Sequence, residues 1–200
     1  MNHLAHFYLA GSDTNLLVGN FLGDYIKGRL VGKRSAAIET GIRLHRAIDA
    51  FTDHHPITRR SQSRFEPRFR RVSGIMTDII YDHFLACGWS NYHIEHLQTF
   101  SDTTFEKLLA HREHFPDNAI QSCERMYENN VLSRYVEPNF IDRSLKYLST
   151  RLSRDNPLME GYNQFLQNQE DLNLDFQEFF PVLQQFVDAW VSDNQLAEKA

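Results

Sequence analysis

Apolar residues recur along this chain with the spacing of an α-helix, and alternating strand patterns with hairpin dipeptides are missing. Capping residues, glycines and prolines divide the chain into eight or nine predicted helices. These are a short one through Ala10, then 14–28, 35–54, one from 56 that breaks at Pro67, 74–87, two or three over 90–135, one from Pro138, and a long one from 156–157 bent at Pro181. The pattern predicts an all-α fold, a compact bundle forming a single domain over residues 1–200.

The segment 41–56, GIRLHRAIDAFTDHHP, places an imidazole and two carboxylates beside the apolar side of its predicted helix. At 100° per residue, Ile42, His45 and Asp49 fall within about 60° of one another, and Asp53 follows just beyond them. A carboxylate that is buried without a partner is costly to desolvate. We therefore expect a compensating group next to this stripe.

Three further segments bring metal-capable side chains into apolar surroundings: NHLAHFYLA, GNFLGDYIKG and IMTDIIYDHFLAC. Their candidate ligands are His3, His6, Asn20, Asp24, Asp78, Asp82 and His83. Mixed imidazole and carboxylate ligands on facing helices are how helical bundles build metal sites. An oxygen-rich set with one or two nitrogens suits Mn²⁺, Mg²⁺ or Fe²⁺, and of these we expect Mn²⁺.

Each motif alone also has a plain structural explanation. The His45–Asp49 pair could be a hydrogen bond within one helix, and His83 could be a core histidine with its own partner. His3 could lie on the surface, and Asp78 could orient a ligand histidine. The coincidence of four such segments, rather than any one of them, favours a metal site.

Charge is concentrated in residues 59–71, RRSQSRFEPRFRR, which carry a local charge of +5 in a chain whose formal net charge is −5. This arginine segment contains Arg59, Arg60, Arg64, Arg68, Arg70 and Arg71. One basic island favours an anionic partner that docks locally over a nucleic acid, because nucleic-acid binders usually spread positive charge over a whole face. A solvated helix face is the simpler alternative.

Several features predict a cytoplasmic protein. No apolar run approaches the roughly 18 residues of a membrane span, so we expect no membrane insertion. The first residues lack the basic start of a secretory signal. Cys87 and Cys123 have no CxxC neighbour, which favours a reducing compartment over a disulfide framework.

Taken in order, NHLAHFYLA, GNFLGDYIKG, GIRLHRAIDAFTDHHP and MTDIIYDHFLACGW resemble the acyl carrier protein phosphodiesterase family, also called holo-acyl-carrier-protein hydrolase. The resemblance covers roughly the first ninety residues, and the later part agrees only in being helical. The family is regarded as a divergent branch of the His-Asp (HD) phosphohydrolase superfamily, which is all-helical and metal-dependent.

The resemblance implies roles for individual residues. The metal would be held by Asp24, His45, Asp49 and one of the adjacent pair Asp82 and His83, of which Asp82 is the assigned ligand. The parent superfamily has this pair in the order His then Asp, whereas this chain has Asp then His. His83 or His6 would protonate the leaving group, and Arg46 would neutralise phosphate charge.

The resemblance also implies the substrate, holo-acyl carrier protein, a small acidic protein that bears 4′-phosphopantetheine on a serine. Hydrolysis of that phosphodiester would give the apo-protein, and the arginine segment would dock the acidic carrier surface. Two alternatives remain at this point. The same bundle could cleave a nucleotide or another small phosphodiester, or the chain could be a non-catalytic helical module whose buried acids pair with arginines.

Overall fold

A computed structural model describes residues 1–197, with side chains described through residue 194. Within that range the chain forms ten α-helices, four short 3₁₀ helices and no strand, which confirms the predicted all-α class with at least one helix more than expected. The helices are α1 His3–Leu9, α2 Thr14–Leu22, α3 Ala36–His54, α4 Pro56–Ser63, α5 Ser73–Cys87, α6 Leu97–Ala110, α7 Asp117–Glu128, α8 Val131–Arg134, α9 Pro138–Arg151 and α10 Gly161–Ala197. The 3₁₀ helices are Pro67–Phe69, Trp89–Asn91, Arg112–His114 and Leu158–Glu160.

Most helix boundaries follow local signals in the sequence. The Asp13 carboxylate accepts hydrogen bonds from the backbone N–H groups of Asn15 and Leu16, and α2 begins there as predicted. However, α2 ends at Leu22 rather than at Gly28. Gly28 has a φ of 79°, in the left-handed region that helices do not continue through.

Helices α2 and α3 pack backbone against backbone at Gly19 and Gly41. A Cβ atom at Gly19 would lie 2.6 Å from the Cα of Gly41, and one at Gly41 would lie 2.7 Å from the carbonyl oxygen of Leu16. Any larger residue would force the helices apart, so the close approach requires glycine. This contact sets the end of α2 beside the middle of α3.

The long helix α10 holds the N-terminal helices together through aromatic side chains. Phe179 and Phe176 contact Tyr81 of α5, with ring centroids 5.7 and 5.5 Å apart. Phe180 contacts Tyr8 of α1 at 5.7 Å. These rings are large apolar groups in a common core, and they fix α1 and α5 relative to each other. None of the helices within residues 1–197 is both long and apolar enough to span a membrane.

Candidate metal centre

Helix α3 presents His45 and Asp49 on successive turns, as their spacing predicted. His45 is buried, and its Nε2 lies 3.1 Å from Oδ2 of Asp49. A Cβ atom at Gly23 would fall within the His45 ring, 2.6 Å from the His45 Cβ and closer still to ring atoms. The glycine at the end of α2 therefore leaves the space that the imidazole occupies.

Helix α1 brings His6 to the same carboxylate. The Nε2 of His6 lies 3.0 Å from Oδ1 of Asp49, so each carboxylate oxygen faces one imidazole. The two rings stack with centroids 4.3 Å apart. One ligand atom from each of His6, His45 and Asp49 lies within 4.8 Å of the others, the geometry of a candidate metal site.

The orientation of His6 is set by Asn20 of α2, whose Oδ1 lies 2.8 Å from His6 Nδ1. A neutral imidazole carries one N–H, so His6 can donate either to Asn20 from Nδ1 or to Asp49 from Nε2. Burial lowers the pKa of His6, which disfavours a second proton on the ring. A cation at Nε2 would leave the Nδ1 proton for Asn20 and so satisfy both contacts.

The three ligand atoms face an acidic cavity of about 240 Å³. This acidic cavity is lined by Met1, Asn2, His6, Asp24, His45, Asp49, Asp53 and Asp78. Four of the eight residues are aspartates, and in the part of the chain that the structure describes no lysine or arginine lines the cavity. A divalent cation would compensate this negative charge.

Asp24 supplies a second carboxylate close to the cluster. Its Oδ1 lies 3.7 Å from His45 Nε2, and its Oδ2 lies 3.8 Å from His3 Nδ1. Asp24 and Asp49 give the cavity carboxylate oxygens, and His6 and His45 give it two imidazole nitrogens. This donor set suits Mn²⁺, Mg²⁺ or Fe²⁺ rather than an ion that prefers thiolates. The residues present thus fit the implied metal.

The pKa values of two cavity carboxylates are shifted in opposite directions. Burial raises the pKa of Asp49, but the hydrogen bonds and charges of His45 and His6 outweigh burial and hold that pKa well below its usual value. Partial burial and the nearby charges of Asp78 and Asp49 raise the pKa of Asp53. Asp78 accepts a hydrogen bond from the Met1 amino group at 2.7 Å.

The structure places Asp82, assigned to the metal from the family pattern, outside the acidic cavity. Its carboxylate is fully buried and accepts hydrogen bonds from the backbone N–H groups of Asn2, Leu4 and Ala5, the shortest being 2.7 Å. Burial raises its pKa to about 7, against the Met1 amino group and these N–H donors, which lower it. Asp82 anchors the start of α1, the helix that carries His6.

His83 and Arg46 are also not brought to the cluster. Adjacent helical residues point about 100° apart, so His83 faces away from the direction of Asp82. The Nδ1 of His83 lies 2.6 Å from the Tyr135 carbonyl oxygen. Because a carbonyl only accepts, Nδ1 is the donor. Arg46 donates to the carbonyl oxygen of Ile26 at 2.8 Å, which holds the connection that follows α2.

Half of the arginine segment is engaged within the chain. Arg60 and Arg64 both pair with the buried Asp175 of α10, each through a nitrogen–oxygen distance of 2.7 Å. Arg68 pairs with Glu66 and Glu160. These three arginines have structural partners that the sequence alone did not indicate, since α10 is remote in the chain.

Arg59, Arg70 and Arg71 are exposed and form no ion pair with the residues that the structure describes. Arg70 and Arg71 line a cavity of about 540 Å³ together with Arg68 and Arg154. The positive charge that is left for a partner therefore lies at the two ends of the segment.

The sequence marks Asn20, Asp53 and Asp78 as candidates, although none is in the assigned set of metal and catalytic residues. Each lies four residues from another candidate: Asn20 from Asp24, Asp53 from Asp49, and Asp78 from Asp82. Gly23 has no such signal, because it acts through the His45 ring of another helix.

Comparison with known proteins shows the family to which the chain belongs. Residues 1–183 match the family model described as acyl carrier protein phosphodiesterase. Proteins of that name from Photorhabdus laumondii and Serratia proteamaculans are each 31% identical over 188 and 186 residues, covering 92% of this chain and 93% and 96% of theirs. No solved structure matches the chain significantly. The chain belongs to the acyl carrier protein phosphodiesterase family.

Proposed function

We propose that the chain is a metal-dependent phosphodiesterase that hydrolyses the bond between 4′-phosphopantetheine and the serine of holo-acyl carrier protein. The products are apo-acyl carrier protein and free 4′-phosphopantetheine. The match of residues 1–183 to the family model carries this proposal, and the names of the curated relatives support it. We treat residues 1–200 as one catalytic domain acting in the cytoplasm, in keeping with the free thiols of Cys87 and Cys123.

His6, His45 and Asp49, with Asp24 beside them, would hold the metal ion, which we propose to be Mn²⁺, with Mg²⁺ and Fe²⁺ as alternatives. A divalent ion bound there would supply a Lewis acid for a phosphoryl oxygen and a lowered pKa for bound water. This ligand set replaces Asp82 with His6. Asp82 becomes a positioning residue, because its contacts hold the start of α1.

The protein's own side chains prepare the cavity for a phosphodiester. Asn20 holds His6 with Nε2 toward the cavity, and the depressed pKa of Asp49 keeps that carboxylate ionised. Asp53 lines the same cavity and is not among the three candidate ligands, which suits a proton donor to the departing serine oxygen. We assign that role to Asp53, because His83 lies outside the cavity and His6 is a candidate ligand.

The acidic carrier protein would dock on the arginines that have no ion pair among the described residues, Arg59, Arg70 and Arg71. The other three arginines of the segment would support this surface from below, Arg60 and Arg64 through α10 and Arg68 through Glu160 of the preceding 3₁₀ helix. Complementary charge chiefly raises the rate of encounter, so this contact should weaken with added salt.

The relation to the HD superfamily is part of this proposal. The all-helical fold and the mixed imidazole and carboxylate donors support it. The adjacent pair in this chain, Asp82 and His83, does not contribute to the acidic cavity. The relation therefore depends on the architecture and the donor set rather than on the adjacent pair.

The proposed reaction is tested by incubating the purified chain and Mn²⁺ with holo-acyl carrier protein and measuring the intact mass of the carrier. We expect the carrier to lose its phosphopantetheine arm, while carrier incubated with the Asp49→Asn variant keeps it. A carrier of unchanged mass after incubation with the wild-type chain would contradict the proposed function. Hydrolysis of small phosphodiesters alone would instead support the alternative substrate class.

A further inference from the structure

A groove of about 500 Å³ lies between α7, α8 and α9 and reaches the start of α1. Asn2 lines both this groove and the acidic cavity. His3 also lines the groove, and its Nδ1 lies 3.8 Å from Asp24, a residue of the acidic cavity. The α7–α9 groove is therefore adjacent to the candidate metal centre and shares Asn2 with it.

The lining of the groove suits an elongated ligand with alternating apolar and polar parts. Apolar side chains from four helices line it, including Ile79, Met126, Phe140 and Leu148. Small polar side chains interrupt this surface at Ser122 on α7 and at Ser144 on α9. A volume of this size falls within the range of about 300–1,000 Å³ that is usual for ligand pockets.

The charges around the groove differ in sign from those of the acidic cavity. Arg134 and Arg143 share a single acid, Glu137, and Arg125 forms no ion pair within the part of the chain that the structure describes. The two sites are therefore distinct surfaces, and only the acidic cavity offers the metal donors that an anionic phosphodiester would need.

We propose that the α7–α9 groove binds the pantetheine portion of the prosthetic arm, with the phosphodiester in the acidic cavity. This inference rests on the proposed function for the identity of the arm. Pantetheine carries methylene and dimethyl carbons that match the apolar lining, and its two amides and hydroxyl match the serine hydroxyls. The groove then recognises the prosthetic arm, whereas the arginine segment recognises the carrier.

Direct binding tests this assignment independently of turnover. Calorimetry compares the dissociation constants of 4′-phosphopantetheine and inorganic phosphate for the Mn²⁺-loaded chain. Because only the first ligand has an arm, we expect it to bind the wild-type chain about tenfold more tightly than phosphate does. Filling the groove with Ser144→Phe should bring the ratio of the two constants close to one.

Two further variants make the outcome decisive. Ser122→Phe fills the groove from the opposite wall and should have the same effect, while thermal unfolding verifies that each variant is folded. Thr150→Phe, an exposed position on α9 that does not line the groove, should keep the wild-type ratio. Equal affinities of the wild-type chain for both ligands, or an unchanged ratio in folded Ser144→Phe and Ser122→Phe, would overturn the assignment.

This result is separable from the test of the reaction. A preference for phosphopantetheine that Ser144→Phe removes would support the groove even if holo-carrier protein kept its arm, and the proposed function alone would then fail. Conversely, release of the arm by a chain that binds both ligands equally would keep the function and reject the groove.

Discussion

The acidic cavity and the arginine segment 59–71 are both dense in charge, but their charges are balanced in different ways. In the cavity, His6, His45 and Asp49 face one another, and within the described residues no basic side chain of lysine or arginine lines the space. In the arginine segment, Arg60 and Arg64 are neutralised by acids of α10, which are Asp171, Asp175 and Glu178. An unbalanced cluster indicates a missing cation, whereas a balanced one indicates structure.

This difference also shows why the two regions were unequally predictable. The cavity is built on pairs one helical turn apart, and such pairs are visible in a sequence. The partners of the arginine segment come from a helix more than a hundred residues later, as the contact between Arg60 and Asp175 shows. A run of like charges in a sequence shows the sign of the charge, but it does not show which residues the run contacts in the fold.

The largest expected effect is in the cavity. His45→Ala or Asp49→Ala should abolish release of the arm and lower the bound metal, because each removes a candidate ligand. Carrier mass and elemental analysis measure the two effects, and circular dichroism should show an intact helical fold. His54→Ala, at an exposed end of the same helix, is the matched control. Full activity in either cavity variant would refute the assignment.

Asn20→Ala tests how the cavity is supported rather than its ligands. Without the Asn20 amide, nothing fixes the Nδ1 proton of His6, and loss of such a supporting contact typically costs about 10–100-fold in metal affinity. Titration with Mn²⁺ measures the change. Asn15→Ala, exposed on the same helix, should bind Mn²⁺ like the wild-type chain. Equal affinity in both variants would remove Asn20 from the site.

Stability measurements sharpen the division within the arginine segment. Arg64→Ala removes a two-pronged contact with the buried Asp175 carboxylate and should lower the free energy of unfolding by about 1–3 kcal/mol. Arg71→Ala, at an exposed site without an ion pair among the described residues, should change it by no more than about 0.5 kcal/mol. Urea unfolding compares them, and equal losses would contradict this division.

The smallest expected effect concerns the carrier protein. Arg70→Glu with Arg71→Glu should raise the KM for holo-carrier protein about fivefold at low salt, because exposed ion pairs are worth at most about 1 kcal/mol. The difference should shrink as salt rises. Arg29→Glu with Lys33→Glu, two exposed basic residues outside the segment, gives the same change in net charge and is the control. A KM that responds equally to both changes would exclude a specific docking surface here.

Sequence reasoning anticipated the all-α class, most helix boundaries and the meeting of α1, α2 and α3 at the candidate site. It misplaced the end of α2, because the helix stops at Leu22 although the apolar pattern continues through Tyr25 and Ile26. The family pattern also pointed to Asp82, whose carboxylate already accepts hydrogen bonds from backbone N–H groups at the start of α1. Which of several buried acids faces a cavity depends on helix rotation, and rotation is settled by tertiary packing.

The glycines also show that contacts between helices are hard to predict from sequence. Gly19 and Gly41 meet at the close backbone approach between α2 and α3, and neither position shows its partner in the sequence. The reason for Gly23 could not be read from its neighbours in sequence, because the His45 ring that fills its space comes from another helix. A small residue indicates close packing, but it does not identify the group that packs against it.

The most direct test of a metal centre built by three helices is a Mn²⁺ titration of the metal-free chain, followed by electron paramagnetic resonance. We expect the wild-type chain to bind at least one Mn²⁺ ion, and we expect His6→Ala, His45→Ala and Asp49→Ala each to lose that binding while His54→Ala retains it. Failure of the wild-type chain to bind Mn²⁺, Mg²⁺ or Fe²⁺, or binding that survives all three cavity substitutions, would contradict a metal centre at this site.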